Sequence, residues 1–270
     1  TYRSPFIPVT FGVLAGRQIR ELSDPIRRTA LNKCHEKLSA VFENVGQWKR
    51  PWFYPKVNEK IDQAIFRECL SVRNSVGILD ASTLGKIMIS GKDSLTLLNK
   101  VYTNNFSNLG IGKIKYGLLL KEDGMVFDDG TTTKLSENRY LMTTTTSNAA
   151  LVLDWLEEWL QTEWTNLDVF LTSVTDHWAV ITVSGPKSRH VISKLNPSIS
   201  LDSEDFPFMS YRQVNLAGIA CRVFRISFTG ELSYEINIPW PNATYIWNKL
   251  LDAGSEYNIT PYGTETMHLL

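Results

Sequence analysis

The chain has 270 residues, 43% of them hydrophobic and 21% charged, and its 28 Lys and Arg balance 28 Asp and Glu to a formal charge of zero. That length and composition suit a globular chain with a sizeable core, in one large domain or two of about 100 to 150 residues. A zero balance supplies no long-range field to gather nucleic acid or an anionic membrane, so neither is expected as a partner. Cys34, Cys69 and Cys221 are widely spaced, which argues against a disulfide framework and a zinc site and for reduced cytoplasmic thiols. No apolar run approaches the roughly 18 residues of a membrane span and no signal-peptide pattern occurs, so a soluble, cytoplasmic chain is expected.

In chain order, residues 1–58 read as an irregular arm. Pro5, Pro8, Pro25, Pro51 and Pro55 interrupt it, and the cluster Trp48, Trp52, Phe53 and Tyr54 follows. Lys49 and Arg50 among those rings could suggest base stacking, but with no net charge the better reading is an arm packing its aromatics on the body. The chain begins at Thr1 rather than Met and stops in the apolar-periodic Thr266 to Leu270, so it is expected to be part of a longer polypeptide.

Regular patterning starts near residue 59. Ile61, Ala64, Ile65, Leu70 and Val76 follow helical spacing, and Gly77 stands where a C′ glycine would close that helix. Lys86 to Ser90 alternates like a strand, and Asp93 to Val101 reads as a helix. The same grammar returns 94 residues later: Ile89-Ser90-Gly91-Lys92-Asp93-Ser94 ahead of Leu97 to Val101 matches Val183-Ser184-Gly185-Pro186-Lys187-Ser188 ahead of Val191 to Leu195. Strand-rich sequence follows each copy, Lys115 to Lys134 and Ala220 to Ile238. Each then leads to a helix. Leu151, Trp155 and Trp159 stand at i, i+4, i+8 in Ser147 to Gln161, and Ile246, Trp247 and Leu250 lie in Asn242 to Leu251. Tryptophans at that spacing are packing ridges more often than cofactor boxes. The fold class is therefore α+β, built from two related, ferredoxin-like halves at about 59–165 and 166–270. A cleft between such halves is a natural place for a small-molecule site.

Familiar chemical motifs are scarce. His35, His177, His190 and His268 lie far apart, so no metal is expected. No GxGxxG follows a strand, and neither a GxxxxGK[ST] loop nor a GxSxG elbow occurs. Thr131 to Thr133 and Thr143 to Thr146 could offer hydroxyls to a ligand, or could simply be strand formers at sheet edges. The strongest local signal is Gly124-Met125-Val126-Phe127-Asp128-Asp129-Gly130, where adjacent acids stand between two strand-like runs. Either a β-turn explains them or a carboxylate lies inside a sheet, where it costs several kcal/mol unless paired. A second signal is Thr229-Gly230-Glu231-Leu232-Ser233-Tyr234-Glu235. A carboxylate there could accept two parallel hydrogen bonds from an amidine-like edge such as a pterin's, or be a solvated turn charge.

Taken with the repeated Ser-Gly-x-x-Ser segment, these two motifs resemble the folate-binding aminomethyltransferase family over roughly residues 60–270. The longer runs Glu43 to Trp52, Asp80 to Lys86, Lys121 to Gly130, Leu153 to Leu160 and Pro261 to His268 are similar, within that family, to the C-terminal part of the α subunits of heterotetrameric sarcosine oxidases. The resemblance implies an enzyme fragment with a folate-binding aminomethyltransferase fold whose closing C-terminal barrel falls outside this chain. It also implies a function: in the full complex, sarcosine is oxidised at a flavin, tetrahydrofolate traps the one-carbon unit as 5,10-methylenetetrahydrofolate, and glycine and hydrogen peroxide form. FAD, FMN and NAD would then sit elsewhere in an assembly with β, γ and δ subunits.

By the same resemblance, Asp129 is the catalytic acid and Glu235 the pterin-binding one. Glu231, Asp128 and Tyr116 are lower-ranked cofactor-binding candidates. A family Arg has no counterpart here, its place falling near Met267. Two rivals stay open: a stand-alone folate-dependent aminomethyltransferase or demethylase, and a non-catalytic folate-binding assembly protein.

Overall fold

A computed structural model describes residues 27–270, so Pro5, Pro8, Pro25 and the rest of the expected arm before Arg27 lie outside the described residues. The remainder of that arm is not irregular. Strands β1 (Arg27–Arg28), β2 (Val41–Val45) and β3 (Trp48–Phe53) form a small sheet in the order β1-β3-β2, with helix α1 (Asn32–Lys37) between the first two. Gly46, at φ 57°, makes the tight β2–β3 turn in which Val45 pairs Trp48. Pro51 is tolerated in β3 because β1 pairs only Trp48 and Lys49, so the strand has no ladder partner on that side at the proline. The rings of Trp48, Phe53 and Tyr54 are buried on the body, as expected for a packed aromatic cluster.

Helix α2 (Ile61–Asn74) follows and ends before Gly77, which does not cap it. Gly77 instead opens strand β4 (Gly77–Asp80). A Cβ there would lie 2.5 Å from Val72 Cγ2 and 2.7 Å from the Tyr262 ring, so close packing explains the glycine.

The repeat seen in the sequence is a structural one. The first copy is β4, β5 (Gly85–Ser90), α3 (Ser94–Val101), β6 (Ile114–Leu120), β7 (Val126–Ser136), β8 (Arg139–Thr144) and α4 (Ala149–Thr162). The second is β9 (Phe170–Ser173), β10 (Trp178–Ser184), α5 (Ser188–Leu195), β11 (Ser210–Leu216), β12 (Ile219–Arg225), β13 (Ser233–Pro239) and α6 (Ala243–Gly254). Gly91 and Gly185 make the equivalent strand-to-helix turns at φ 130° and 118°, each with backbone oxygens where a Cβ would stand. Only glycine accommodates both demands.

Sheet order shows that the copies are interleaved. One sheet runs β6-β7-β8-β5-β9 and the other β11-β12-β13-β10-β4-β14, the last strand being Thr260–Pro261. Each copy thus gives its leading strand to the other copy's sheet. The registers correspond, Ile87 pairing Ser173 and Ile181 pairing Asp80. The expected division near residue 165 marks the repeat in sequence, while in space the halves share both sheets.

At the crossovers the hydrogen bonds are also paired. Ser82 Oγ accepts from the Val180 amide at 2.9 Å, and Thr175 Oγ1 accepts from the Lys86 amide at 3.0 Å. Asp80, at the end of β4, is completely buried and receives Thr29 Oγ1 at 2.6 Å, His35 Nε2 at 2.9 Å and the Ser82 amide at 3.0 Å. Burial alone would raise its pKa, yet His35, Ser82 and Thr29 together hold it below the usual carboxylate range.

Strand alternation then sets four layers. Ile87, Ile89, Tyr140 and Met142 face α3 and α4, while Ile181, Val183, Tyr234, Ile236 and Ile238 face α5 and α6. Between the sheets lies a smaller cluster of Met88, Ile114, Leu141, Phe224 and Ile226. The tryptophan ridge behaves differently in the two copies. Trp247 is fully buried, whereas α4 buries Val152 and Leu156 and leaves Leu151 exposed, with Trp155 edge-on to Phe127 and Trp159 stacked on Trp164.

Helix α7 (Thr264–Leu269) closes the described chain. Glu68 joins it to α2 and β3, accepting from the Tyr54 amide, the Gly263 amide and Thr266 Oγ1. Because each crossover hydroxyl satisfies a buried amide of the other copy, Ser82→Ala and Thr175→Val should each cost about 1–3 kcal/mol. Urea denaturation followed at far- and near-ultraviolet wavelengths should show one coincident transition for both variants, since neither sheet is complete without the other copy.

Candidate functional site

The cleft lies where the apolar layer between the sheets gives way to polar residues. Its volume is about 340 Å³, and its walls include Tyr116, Asp129, Gly130, Thr131, Thr143 and Thr145 from one sheet side and Ile226, Ser227, Phe228 and Glu235 from the other. Leu84, in the β4–β5 crossover, joins the two sides. Ligand pockets usually span about 300–1,000 Å³, so this one has room for a small organic molecule.

Asp128 and Asp129 are inside β7, not in a turn. The turn is one step earlier, where Gly124 adopts φ 80° and Asp123 Oδ1 accepts the Met125 amide. Consecutive strand residues face opposite ways, so the two acids are separated at once. Asp129 enters the cleft and accepts Tyr116 Oη at 2.9 Å, a bond that raises the Tyr116 phenol's pKa. Tyr116 itself stays half exposed at the mouth. Asp128 turns toward α4, where its carboxylate accepts Thr145 Oγ1 at 2.6 Å, the Thr145 amide at 3.2 Å and Asn148 Nδ2 at 3.4 Å. Burial nevertheless holds its pKa above the usual value. It clamps the β8–α4 connection and does not line the cleft.

The acids of the second motif part because only one of them lies in a strand. Glu235, in β13, points from the cleft floor toward the opposite sheet. Glu231, in the preceding loop, is paired with Arg73 Nη1 at 2.6 Å away from the cleft walls. No hydrogen-bonding partner is found for the Glu235 carboxyl among the described residues, and burial pushes its pKa up to about 7 against the opposing charge of Lys86. Ser227 Oγ, on the cleft wall, is likewise buried without a partner. A ligand with paired donors would meet an unused acceptor here.

Thr131 to Thr133, Thr143 and Thr144 are in the interior strands β7 and β8, not at sheet edges, while Thr145 and Thr146 lie in the β8–α4 connection. Beyond Thr132 the backbone ladder between these strands stops, and Thr143 replaces it: its hydroxyl accepts the Thr131 amide at 2.9 Å and lies 2.9 Å from Thr131 Oγ1. A Cβ on Gly130 would lie 2.0 Å from the Thr143 carbonyl oxygen, so glycine is required for this approach. The hydroxyls thus hold the cleft wall together.

Two polar residues of the floor were missed in the sequence, Lys86 and Asn237. A signal existed for both. Alternation puts Lys86 on the face of Met88 and Asn237 on that of Glu235, so each inward polar position could have been read from strand period alone. Met267, where the family Arg was expected, packs against the buried cluster of Val72, Leu79 and Tyr262 instead. Among the described residues no group of three or more His, Cys, Asp or Glu could hold a metal, and no helix is long and apolar enough to cross a membrane.

The separated acids make contrasting predictions for stability. Asp128→Ala should cost about 1–3 kcal/mol by leaving the Thr145 amide and hydroxyl unpaired, whereas Asp129→Ala should change thermal stability little. A carboxyl whose pKa is raised on folding binds more protons in the folded state between its ordinary value and about 7. Glu235 therefore makes stability fall as pH rises through that window, and urea titrations at stepped pH should show the fall reduced in Glu235→Gln.

Residues 31–270 match the family model described as "GCVT N-terminal domain". The chain is 55% identical over 271 residues to the sarcosine oxidase subunit alpha of Corynebacterium sp. (strain U-96), and 43% identical over 273 residues to that of Rhizobium meliloti (strain 1021). Both alignments take in 100% of this chain and 28% of the relative, so the chain spans little more than a quarter of the length of these curated relatives. Among solved structures, the glycine cleavage system aminomethyltransferase T from Bartonella henselae superposes with a TM-score of 0.75 at 23% identity, over 90% of this chain and 61% of that one. That likeness concerns the fold, and it agrees with the α+β architecture and the open sheets described above. The chain belongs to the GCVT N-terminal domain family.

Proposed function

We propose that this chain is the folate-binding part of a sarcosine oxidase α subunit, in which tetrahydrofolate takes up the one-carbon unit released from oxidised sarcosine. The observation that carries this reading is the presence of Asp129 and Glu235, from different sheets, on the walls of one cleft of about 340 Å³. The identity to sarcosine oxidase α subunits over the full chain supports the choice of enzyme.

The residues suit a folate. A pterin presents a planar ring whose amidine edge carries two donors, and Glu235 offers a carboxyl on the cleft wall whose two oxygens can accept them in parallel. Leu84, Ile226 and Phe228 provide apolar surface for the ring faces, and Ser227 Oγ is a free polar contact. Tetrahydrofolate supplies the nucleophilic nitrogens and leaves as 5,10-methylenetetrahydrofolate. Asp129, held by Tyr116 Oη, is the group that stabilises positive charge developing on such a nitrogen and accepts its proton. Glycine and hydrogen peroxide would be products of the whole assembly. In this reading FAD, FMN and NAD belong to other parts of it, and the β, γ and δ subunits are the partners.

The test uses the full-length subunit in its assembled complex. Calorimetric titration should give tetrahydrofolate affinity at least about tenfold weaker in Glu235→Ala, because a paired charged contact is lost, and nearly unchanged in Asp129→Ala. Turnover of sarcosine should show the complementary split. Asp129→Ala should reduce 5,10-methylenetetrahydrofolate formation by about 10²–10⁴-fold while hydrogen peroxide production persists. No binding to the wild-type complex, or loss of peroxide along with methylene transfer, would contradict the assignment.

A further inference from the structure

Lys86 lies in β5 at the inner end of the cleft and is 1% exposed. Its Nζ donates to the carbonyl oxygens of Ser82 at 2.9 Å and Leu84 at 2.7 Å, which fixes the ammonium at the β4–β5 crossover. Lys86 and Glu235 line a common void of about 10 Å³, with Asn237, Val180 and Thr143 among its other walls. That is room for about one water.

The charges around the pair are few. Asp80, Asp176 and Arg27 act on Lys86 besides Glu235, and Tyr262 is the other titratable group that feels Glu235. Asp80 is already engaged by His35, Thr29 and the Ser82 amide, and Asp176 is paired with Arg27 on the surface. Lys86 is therefore the one cation acting on Glu235 among the described residues. Carbonyl dipoles neutralise little of a buried ammonium's charge.

We infer that Lys86 is a positioning residue for the cleft: its buried ammonium, pinned by the Ser82 and Leu84 carbonyls, favours the ionised form of the facing Glu235 carboxyl, the form that accepts a ligand's paired donors. Burial works against both charges, lowering Lys86 to about 8 and raising Glu235 to about 7, so each charge stabilises the other near neutral pH. The two groups form no direct ion pair, so Lys86 acts on the carboxyl across the void they share. Without Lys86, the Glu235 carboxyl would shift toward its protonated form, which accepts only one of two parallel bonds. The pairing of the two groups stands on its own, while its role in ligand capture rests on the folate reading above.

The test separates these parts. In the assembled full-length protein, the protonated-carboxyl infrared band that disappears in Glu235→Gln is followed against pH. Its midpoint should rise by about one pH unit or more in Lys86→Met and stay near the wild-type value in Lys86→Arg. Should Lys86→Met fail to fold by circular dichroism, Lys86→Gln carries the same test, since it keeps a donor to the crossover carbonyls and drops the charge. Tetrahydrofolate affinity, measured across pH, should lose its acid limb at a correspondingly higher pH in the uncharged variant. A Glu235 midpoint that is the same in all variants would overturn the inference and leave Lys86 as a clamp on the crossover. A shifted midpoint in a protein that does not bind tetrahydrofolate would keep the pair and sink the folate reading.

Discussion

The reciprocal exchange of β4 and β9 between the two sheets is the constraint on which the rest of the structure depends. A duplicated unit that kept its own leading strand could pack its copies in many relative positions. Here each copy completes the other's sheet in matched register, and the Ser82 and Thr175 hydroxyls satisfy amides across the two crossovers. The inner faces of both sheets are thereby held at a fixed separation. That fixed separation lets acids from β7 and β13 address one volume, and it brings the β4–β5 crossover, with Leu84 and the carbonyls that hold Lys86, to the floor of the cleft.

Within that frame, strand parity decides which polar residues do chemistry and which do packing. Asp128 and Asp129 differ by one position, yet one is consumed by Thr145 and Asn148 and the other opens onto the cleft. Glu231 and Glu235 are divided differently, one lying in the loop before β13 and the other within the strand. The polar cleft is costly: a buried lysine and a half-buried glutamate stand where apolar residues would pack without penalty. Burying them is what gives an otherwise ordinary α/β/β/α sandwich an asymmetric, charged floor.

The repeat was legible because both strand-to-helix turns demand glycine in a left-handed conformation with no space for a Cβ, so the pattern persists at Gly91 and Gly185, flanked in each copy by the same two serines. Asp129 and Glu235 were legible through the resemblance of their surroundings. The strand exchange was not, because a four-residue strand such as Gly77 to Asp80 carries no sign of which sheet receives it. Proline content hid the β2–β3 hairpin, since the short reach of β1, which leaves one side of β3 open at Pro51, is a tertiary feature. Gly77 was misread for a related reason: its neighbour Tyr262 is distant in sequence, and contact with that ring, not a helix end, requires glycine there.

The proposed function requires one cleft between the exchanged sheets to receive a folate, with Glu235 holding the ring and Asp129 facing its reactive nitrogens. The most direct measurement is the crystal structure of the assembled protein grown with a stable reduced folate. The account predicts the pterin between the two sheets, its amidine edge within hydrogen-bond distance of both Glu235 carboxyl oxygens and its reactive nitrogens on the Asp129 side. A folate bound elsewhere, or a pterin in this cleft with its amidine edge turned away from Glu235, would contradict it.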